Sequence, residues 1–200
     1  FWKKFRGRVQ VVGSDFTHEM LDIANAKRDR KSIPAVPGER KSLSFVEADT
    51  QHLPFDDNRF EAVSVAFGLR NVTDTRAGIR EMLRVAQPGG QVLILEFGMP
   101  RNKFFGACYR WYFKHVLPKL GQLLARNRQS AYHYLPQSVS EFPHGEELVA
   151  LLEECGMERV TFRPLTLGVA GLYIGYKSAR SGPELSATIE ADLAEEVSSR

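Results

Sequence analysis

The sequence is poor in cysteine and has no long apolar run. Cys108 and Cys155 are the only cysteines among its 200 residues, and we expect both to be buried thiols in a reducing compartment. No apolar segment approaches the ~18 residues that a membrane-spanning helix needs, and no signal peptide is recognisable. No cluster of histidine and acidic residues has metal-ligand spacing. We therefore predict a cytoplasmic protein without a metal site.

A large charge of one sign is also lacking. Lysine and arginine number 27, aspartate and glutamate 24, and the net charge of +3 is too small to indicate a nucleic-acid partner. The hydrophobic fraction of 43% is ordinary for a globular protein. We predict one domain over residues 1–177 and a polar, flexible tail over residues 178–200.

Short apolar segments alternate with amphipathic segments along the chain. We predict strands over residues 9–12, 43–48, 62–67 and 91–97, and helices over residues 16–28 and 74–85. A helix over residues 146–155 and two closing strands over residues 160–164 and 170–176 follow. Connections that are helical or long indicate an α/β fold with a mostly parallel sheet. The apolar faces of the first two helices are predicted to be Met20, Leu21, Ile23 and Ala24, and Ile79, Met82, Leu83 and Val85.

The segment from Glu61 to Asp74 organises this pattern. Its β-branched run is typical of a strand buried on both faces, and it breaks at Gly68 into a polar turn. Asp74 or Thr73 is suited to cap the next helix. Arg70 and Asn71 would then lie at the sheet edge where α/β proteins bind ligands. In the alternative interpretation, Gly68 only makes a turn and Arg70 only pairs with a surface acid.

Acidic residues end or follow three of the predicted strands, at Asp15, Asp49 and Glu96. A carboxylate in the position of Asp15 can accept both hydroxyls of a ribose, although a lone aspartate there is also a common helix cap. Asp49-Thr50 would flank an adenine ring. The pair predicts a pocket for an adenosine cofactor, either a nicotinamide dinucleotide or S-adenosylmethionine. The turn at residues 88–90 (PGG) before a buried strand favours S-adenosylmethionine.

Four segments carry a resemblance to a known family: residues 67–72 (FGLRNV), 84–96 (RVAQPGGQVLILE), 13–16 (GSDF) followed by Met20-Leu21, and 132–136 (YHYLP). They resemble the ubiquinone/menaquinone biosynthesis C-methyltransferase family. The resemblance implies a class I methyltransferase, Rossmann-like fold with helices on both faces and a C-terminal antiparallel hairpin. It also implies methyl transfer from S-adenosylmethionine to a ring carbon of a polyprenylated quinol, either a demethylmenaquinol or a 2-polyprenyl-6-methoxy-benzoquinol.

The same resemblance assigns roles to residues. It implies that Asp15 binds the cofactor ribose and that Asp49 and Thr50 lie at the adenine. Ala66 matches a position that often holds a cofactor-binding serine, so only its backbone could contribute. Gln87 and Gly98 depart from the lysine and serine usual in the family.

The family's first strand and glycine-rich turn have no counterpart before the strand at residues 9–12. We expect that strand to be missing from the centre of the sheet, between the strand that ends near Asp15 and the one that ends near Phe67. Its loss would leave unpaired backbone groups, each costing about 1–3 kcal/mol when buried. These 200 residues alone are therefore expected to be poorly stable and inactive. A denaturation curve as cooperative as that of an intact domain would contradict this.

For the reaction, Arg70 is the candidate cation that holds a phenolate, and Asn71 could orient a water or the quinol oxygen. Tyr132 and His133 are further candidates on the acceptor side, or simply a packed aromatic turn. An aromatic stripe over residues 101–120 is typical of a packed helix. The alternatives for that stripe are a lid over an apolar ligand and a helix at a membrane surface, which would suit the acceptor's tail.

Two other classes of protein compete with this interpretation. A nicotinamide-dependent reductase would also place Asp15 on a ribose, although residues 67–72 and the turn at residues 88–90 speak against it. A non-catalytic scaffold that kept the fold is the second alternative.

Overall fold

The computed structural model describes residues 9–33, 42–100, 106, 111, 138–139 and 141–179. They divide between two compact units, Phe1–Pro54 and Phe55–Arg200. Tyr132, His133, most of the aromatic stripe and most of the predicted tail lie outside the described residues. Among the described helices, none is both long and apolar enough to span a lipid bilayer.

The first unit contains two parallel strands and one helix. Strand β1 (Val11–Asp15) pairs with β2 (Leu43–Glu47), and helix α1 (His18–Asp29) follows β1. Asp15 is the last residue of β1 and lies in register with Glu47. The strands and the helix were predicted, with bounds shifted by one to three residues.

Half of the predicted apolar face of α1 is exposed, so that prediction is only partly correct. Leu21 is buried, whereas Met20 and Ile23 are 43% and 45% exposed. The periodicity correctly indicates a helix, but the described part of this unit has only two strands to pack against it. So narrow a sheet covers little more than one row of helix side chains.

The second unit is built on a four-stranded sheet. Its elements in chain order are β3 (Phe60–Ala66), α2 (Thr75–Val85), β4 (Ala86–Phe97), α3 (Glu146–Glu154), β5 (Met157–Leu165) and β6 (Ala170–Lys177). The strand order is β3-β4-β6-β5, with β3 and β4 parallel and the other pairs antiparallel. The predicted C-terminal hairpin is confirmed.

The strands of the two units do not join into one sheet among the described residues. Strands β1 and β3 are both edge strands there, because β1 pairs only with β2 and β3 only with β4.

Strand β3 is not buried on both faces, contrary to prediction. Ala62, Ser64 and Ala66 are exposed, and Val63 and Val65 on the opposite face are partly buried. The β-branched composition correctly indicates a strand. It cannot reveal that one face of this edge strand lacks a covering layer among the described residues.

The core of the second unit lies between α2, α3 and the sheet. Ile79, Met82, Leu83 and Val85 are buried as predicted, and they pack in one cluster with residues of β4, α3 and β6. Asp74 caps α2 as predicted, because its Oδ1 accepts a hydrogen bond of 3.0 Å from the Ala77 N–H.

The other end of α2 is closed by a lysine from the last strand. The Nζ of Lys177 donates to the carbonyl oxygens of Arg84 and Ala86, both at 3.0 Å, and to Oδ1 of Asn58 at 2.7 Å. Burial lowers the pKa of Lys177. Carbonyl groups that would lack helical partners are thereby bonded.

Helix α2 ends at the predicted residue, Val85, and the turn at residues 88–90 is not part of its C-terminus. That turn instead forms an irregularity near the start of β4, where the register with β3 shifts. Gly89 has a φ of +73°, and a Cβ on Gly90 would lie 2.7 Å from the Gln87 carbonyl oxygen. Both positions therefore need glycine.

Candidate functional site

The carboxyl end of β1 presents the Asp15 carboxylate. Its Oδ1 accepts a hydrogen bond of 2.8 Å from the Thr17 N–H, which orders the entry into α1. Thr17 is the N-cap residue of α1, but its own side chain makes no capping bond. Oδ2 of Asp15 has no protein partner among the described residues and is therefore available to a ligand.

The carboxyl end of β2 leads into a turn that fixes Asp49. Its Oδ1 accepts from the Gln51 N–H at 2.9 Å, and the Gln51 side-chain amide reaches both carboxylate oxygens. These bonds, above all the one from the backbone N–H, lower the pKa of Asp49. The half-buried Thr50 lies within the same turn.

The two strand ends are adjacent. The Ala48 N–H donates to the Asp15 carbonyl oxygen at 3.0 Å, which continues the β1–β2 ladder by one bond. The structure thus brings Asp15 and Asp49 to the same edge of one sheet, as the sequence predicted. A ligand that lies across this edge would meet both turns.

His18 and Glu47 form a hydrogen-bonded pair beside this edge, and the pKa of the histidine can be measured directly. His18 Nδ1 lies 2.9 Å from Oε2 of Glu47, and this hydrogen bond, followed by the charge of Asp22, raises the pKa of His18 above its ordinary value of 6.5. We expect Glu47→Gln to lower the pKa of His18 in an NMR titration. An unchanged midpoint would show that the pair does not form in solution.

The sign of the stability effect follows from the raised pKa. Protonated His18 interacts with Glu47 only in the folded protein, so the contribution is complete below about pH 6.5. It is lost as the pH rises through the native pKa. Because both side chains are exposed, we expect a small effect that salt weakens further.

In the second unit, the polar turn after β3 starts with a left-handed residue. Phe67 has a φ of +55°, a conformation uncommon for a residue with a bulky side chain, and its N–H donates to the Leu95 carbonyl oxygen at 2.8 Å. Its own carbonyl oxygen accepts a bond from Nη1 of Arg70. Strained backbone of this kind is frequent at functional sites.

Arg70 forms a buried ion pair with Glu96. Nη1 of Arg70 lies 2.7 Å from Oε1 of Glu96, and the two side chains are 10% and 1% exposed. Oε1 also accepts from the Phe97 N–H at 2.9 Å, and Oε2 accepts from the Arg70 N–H at 3.3 Å. The arginine therefore pairs with an acid, but that acid is buried at the end of β4 and not on the surface.

One donor of this arginine is left over. Nε of Arg70 is buried and has no hydrogen-bond partner in the part of the chain that the structure describes. The guanidinium carbon lies 4.9 Å from the centre of the Phe97 ring, and the Phe67 ring, which is 37% exposed, packs 4.5 Å from that ring. A charged group, an unused donor and an exposed aromatic ring thus lie together at one end of the sheet.

The remaining predicted residues are placed as follows. Asn71 is exposed in a 3₁₀ turn (Leu69–Asn71), and its side chain has no partner among the described residues. Ala66 is the exposed last residue of β3. Tyr132 lies outside the described residues. The sequence further predicts that Asp15, Asp49 and Arg70 surround one hollow; because these residues belong to different units, this stays a prediction.

Sequence reasoning named Glu96 as a strand-end acid but gave it no partner. The signal was available, since a glutamate inside the apolar run VLILEF must be paired if it is buried. No comparable sequence signal indicates that Phe97 packs against Arg70 or that Phe67 has a positive φ.

The described part of the second unit also contains a cavity of about 360 Å³ beside Gly98, His144, Phe162 and Tyr173. The Tyr173 oxygen accepts a bond of 2.7 Å from the Gly145 N–H, and burial raises the pKa of this tyrosine. None of the predicted site residues that the structure describes lines this cavity. In this unit we place the candidate site at the ends of β3 and β4, where the charges of Arg70 and Glu96 meet.

The fold is that of a class I methyltransferase. A solved SAM-dependent methyltransferase from Methanosarcina mazei superposes with a TM-score of 0.52 at 26% sequence identity, and the match covers 84% of this chain and 82% of that one. The described strands and helices of the present chain agree with the α/β architecture expected from its sequence.

The chain belongs to the ubiE/COQ5 methyltransferase family, whose model matches residues 1–177. A demethylmenaquinone methyltransferase from Deinococcus radiodurans is 44% identical over 85% of this chain and 66% of its own length. A ubiquinone/menaquinone biosynthesis C-methyltransferase, UbiE, from Idiomarina loihiensis is 41% identical over 88% of this chain and 68% of its own. The chain thus spans about two thirds of the length of these relatives. The predicted family is confirmed.

Proposed function

We propose that the full-length protein transfers a methyl group from S-adenosylmethionine to a ring carbon of a polyprenylated quinol in menaquinone or ubiquinone biosynthesis. The names of the relatives from Deinococcus radiodurans and Idiomarina loihiensis support the reaction class and the kind of acceptor. The structural observation that carries the proposal is the pair of carboxylates at the adjacent ends of β1 and β2.

The residues at these strand ends fit an adenosine group. S-adenosylmethionine, when bound, supplies a methyl group on a positively charged sulfur. Asp15 would accept hydrogen bonds from the ribose through the oxygen that the Thr17 N–H leaves unused. Asp49 is held by Gln51, so it would shape the adenine side through its turn together with Thr50. The backbone of Ala66 would complete the cofactor side.

On the acceptor side, the ring must be made nucleophilic. Loss of the proton from a ring hydroxyl to water raises the electron density of the neighbouring ring carbon, which then forms the new carbon–carbon bond. The carbon–sulfur bond breaks with its electron pair left on sulfur, and the ring carbon afterwards loses its hydrogen as a proton. Arg70 would stabilise the phenolate, Asn71 would orient the water or the oxygen, and Tyr132 would contact the acceptor.

The long apolar tail of such an acceptor favours contact of the protein with a membrane surface. The aromatic segment over residues 104–117 is the part of the sequence that would make it. Sedimentation with liposomes that is unaffected by removal of this segment would count against this contact.

The proposed function is tested by incubating the full-length protein with S-adenosylmethionine labelled in its methyl group and a short-chain menaquinol or ubiquinol precursor. We expect label on a ring carbon of the product. Transfer to oxygen, or reduction of a quinone at the expense of a nicotinamide cofactor with no methyl transfer, would contradict the proposal. Absence of any transfer together with intact cofactor binding would favour the non-catalytic alternative.

A further inference from the structure

We infer that Glu96 is a positioning residue, which fixes the guanidinium of Arg70 so that its Nε–H points towards the ring oxygen of the acceptor. This inference rests on the proposed function and assigns a role to a residue outside the predicted site. It makes Arg70 a directed hydrogen-bond donor within a neutral pair rather than a free positive charge.

Three donors converge on the Glu96 carboxylate, two from Arg70 in the turn after β3 and one from Phe97 at the end of β4. The Arg70 guanidinium and the Phe97 N–H share Oε1, and the Arg70 N–H reaches Oε2. One carboxylate therefore ties the turn after β3 to the end of β4. Glu96 is 1% exposed, so it has little freedom to leave this arrangement.

Two further contacts restrict the guanidinium. Nη1 also donates to the Phe67 carbonyl oxygen, which the left-handed conformation of that residue orients. The Phe97 ring, 4.9 Å from the guanidinium carbon, provides an aromatic contact beside it. With Nη1 held by two acceptors, the direction of Nε is fixed by the planarity of the group.

Stability alone does not explain this pair. A buried ion pair is often no more stabilising than apolar residues of the same volume. The buried Nε without a partner is an added cost, since such donors are rarely left unsatisfied in folded proteins. Both observations are accounted for if the missing acceptor is an oxygen of the ligand, with Phe67 as the exposed aromatic neighbour of its ring.

The inference is tested with Arg70→Gln, Glu96→Gln and the double variant in the full-length protein. If Glu96 acts through Arg70, Glu96→Gln lowers kcat by at least about tenfold and changes the KM for S-adenosylmethionine by less than about twofold. Arg70→Gln lowers kcat by roughly 100-fold. The double variant is expected to match Arg70→Gln within about twofold, because the second change removes nothing further.

A spectroscopic readout does not depend on turnover. The Nε–H resonance of Arg70, identified by its loss in Arg70→Gln, should exchange slowly with solvent in the unaltered protein and faster in Glu96→Gln. The matched control is Glu154→Gln, which removes the partner of Arg76 at the surface and should change neither readout.

The inference would be overturned if the loss of kcat in the double variant equalled the product of the two single losses. It would also be overturned if the Nε–H of Arg70 exchanged with solvent at the same rate in Glu96→Gln as in the unaltered protein. Full turnover of Glu96→Gln would do the same. If the unaltered protein transfers no methyl group, the proposed function fails instead, and the exchange measurement still decides whether Glu96 positions Arg70.

Discussion

Replacing Arg70 with alanine is expected to lower the free energy of unfolding by about 3–5 kcal/mol, because Glu96 would be left as an unpaired buried charge. The backbone bonds from Arg70 and Phe97 remain, but they do not neutralise the carboxylate. Since a domain is typically stable by only about 5–15 kcal/mol, the loss would be a large fraction of the total. Urea denaturation of the full-length protein measures it.

The matched control is Arg76→Ala. Arg76 also forms an ion pair, with Glu154 at 2.6 Å, but the two side chains are 47% and 58% exposed. We expect a change of no more than about 1 kcal/mol, the usual range for surface pairs. Equal effects of the two substitutions would show that the Arg70–Glu96 pair is hydrated in solution.

A second large effect is expected from Asp15→Asn. The asparagine oxygen can still accept from the Thr17 N–H, so the start of α1 should be preserved. The substitution removes the negative charge and replaces the second acceptor with a donor. Hydrogen bonds to a charged group contribute about 1.5–3 kcal/mol each, which corresponds to a loss of S-adenosylmethionine affinity of roughly 10- to 150-fold.

Isothermal titration of the full-length protein with S-adenosylmethionine measures this loss, and Asp22→Asn is the control. Asp22 is an exposed carboxylate on α1 whose described contact is His18 at 3.8 Å. We expect its replacement to leave the affinity within about twofold. If Asp15→Asn binds as tightly as the control, Asp15 serves only to start the helix and the ribose assignment is wrong.

Much of the fold was predictable from local chemistry. The cap at Asp74 and the apolar spacing of α2 are local features, and the structure has each where the pattern indicated it. The resemblance to the family added the class of fold and the C-terminal hairpin. Element bounds moved by a few residues, because strands end where pairing ends and not where composition changes.

The errors concern which surfaces are covered. Ala62 and Ala66 on the exposed face of β3 have small side chains that a core would accept, and the exposed Met20 and Ile23 of α1 have apolar side chains that would suit one. Composition records the tendency to be buried, but burial also requires a partner layer. That layer is not determined by the residues of the strand or helix itself.

Individual residues of the candidate site could be proposed from the sequence, but the contacts between them could not. Asp15, Asp49 and Arg70 could be proposed as site residues because strand-end positions carry recognisable residues, and their roles stay predictions. The pairing of Arg70 with Glu96 joins residues 26 positions apart, and it depends on the parallel register of β3 and β4. Register is a long-range property that no short motif contains.

The strand order has a consequence for the synthesis of this chain. Strand β6 is the last strand in the described sequence, yet it lies between β4 and β5 in the sheet, and its Lys177 bonds the carbonyl oxygens at the end of α2. The sheet of the second unit therefore cannot close while the ribosome is still adding residues before Lys177. Until that point the backbone groups of β4 that later pair with β6 are unpaired, and a nascent chain in this state would depend on protection from aggregation.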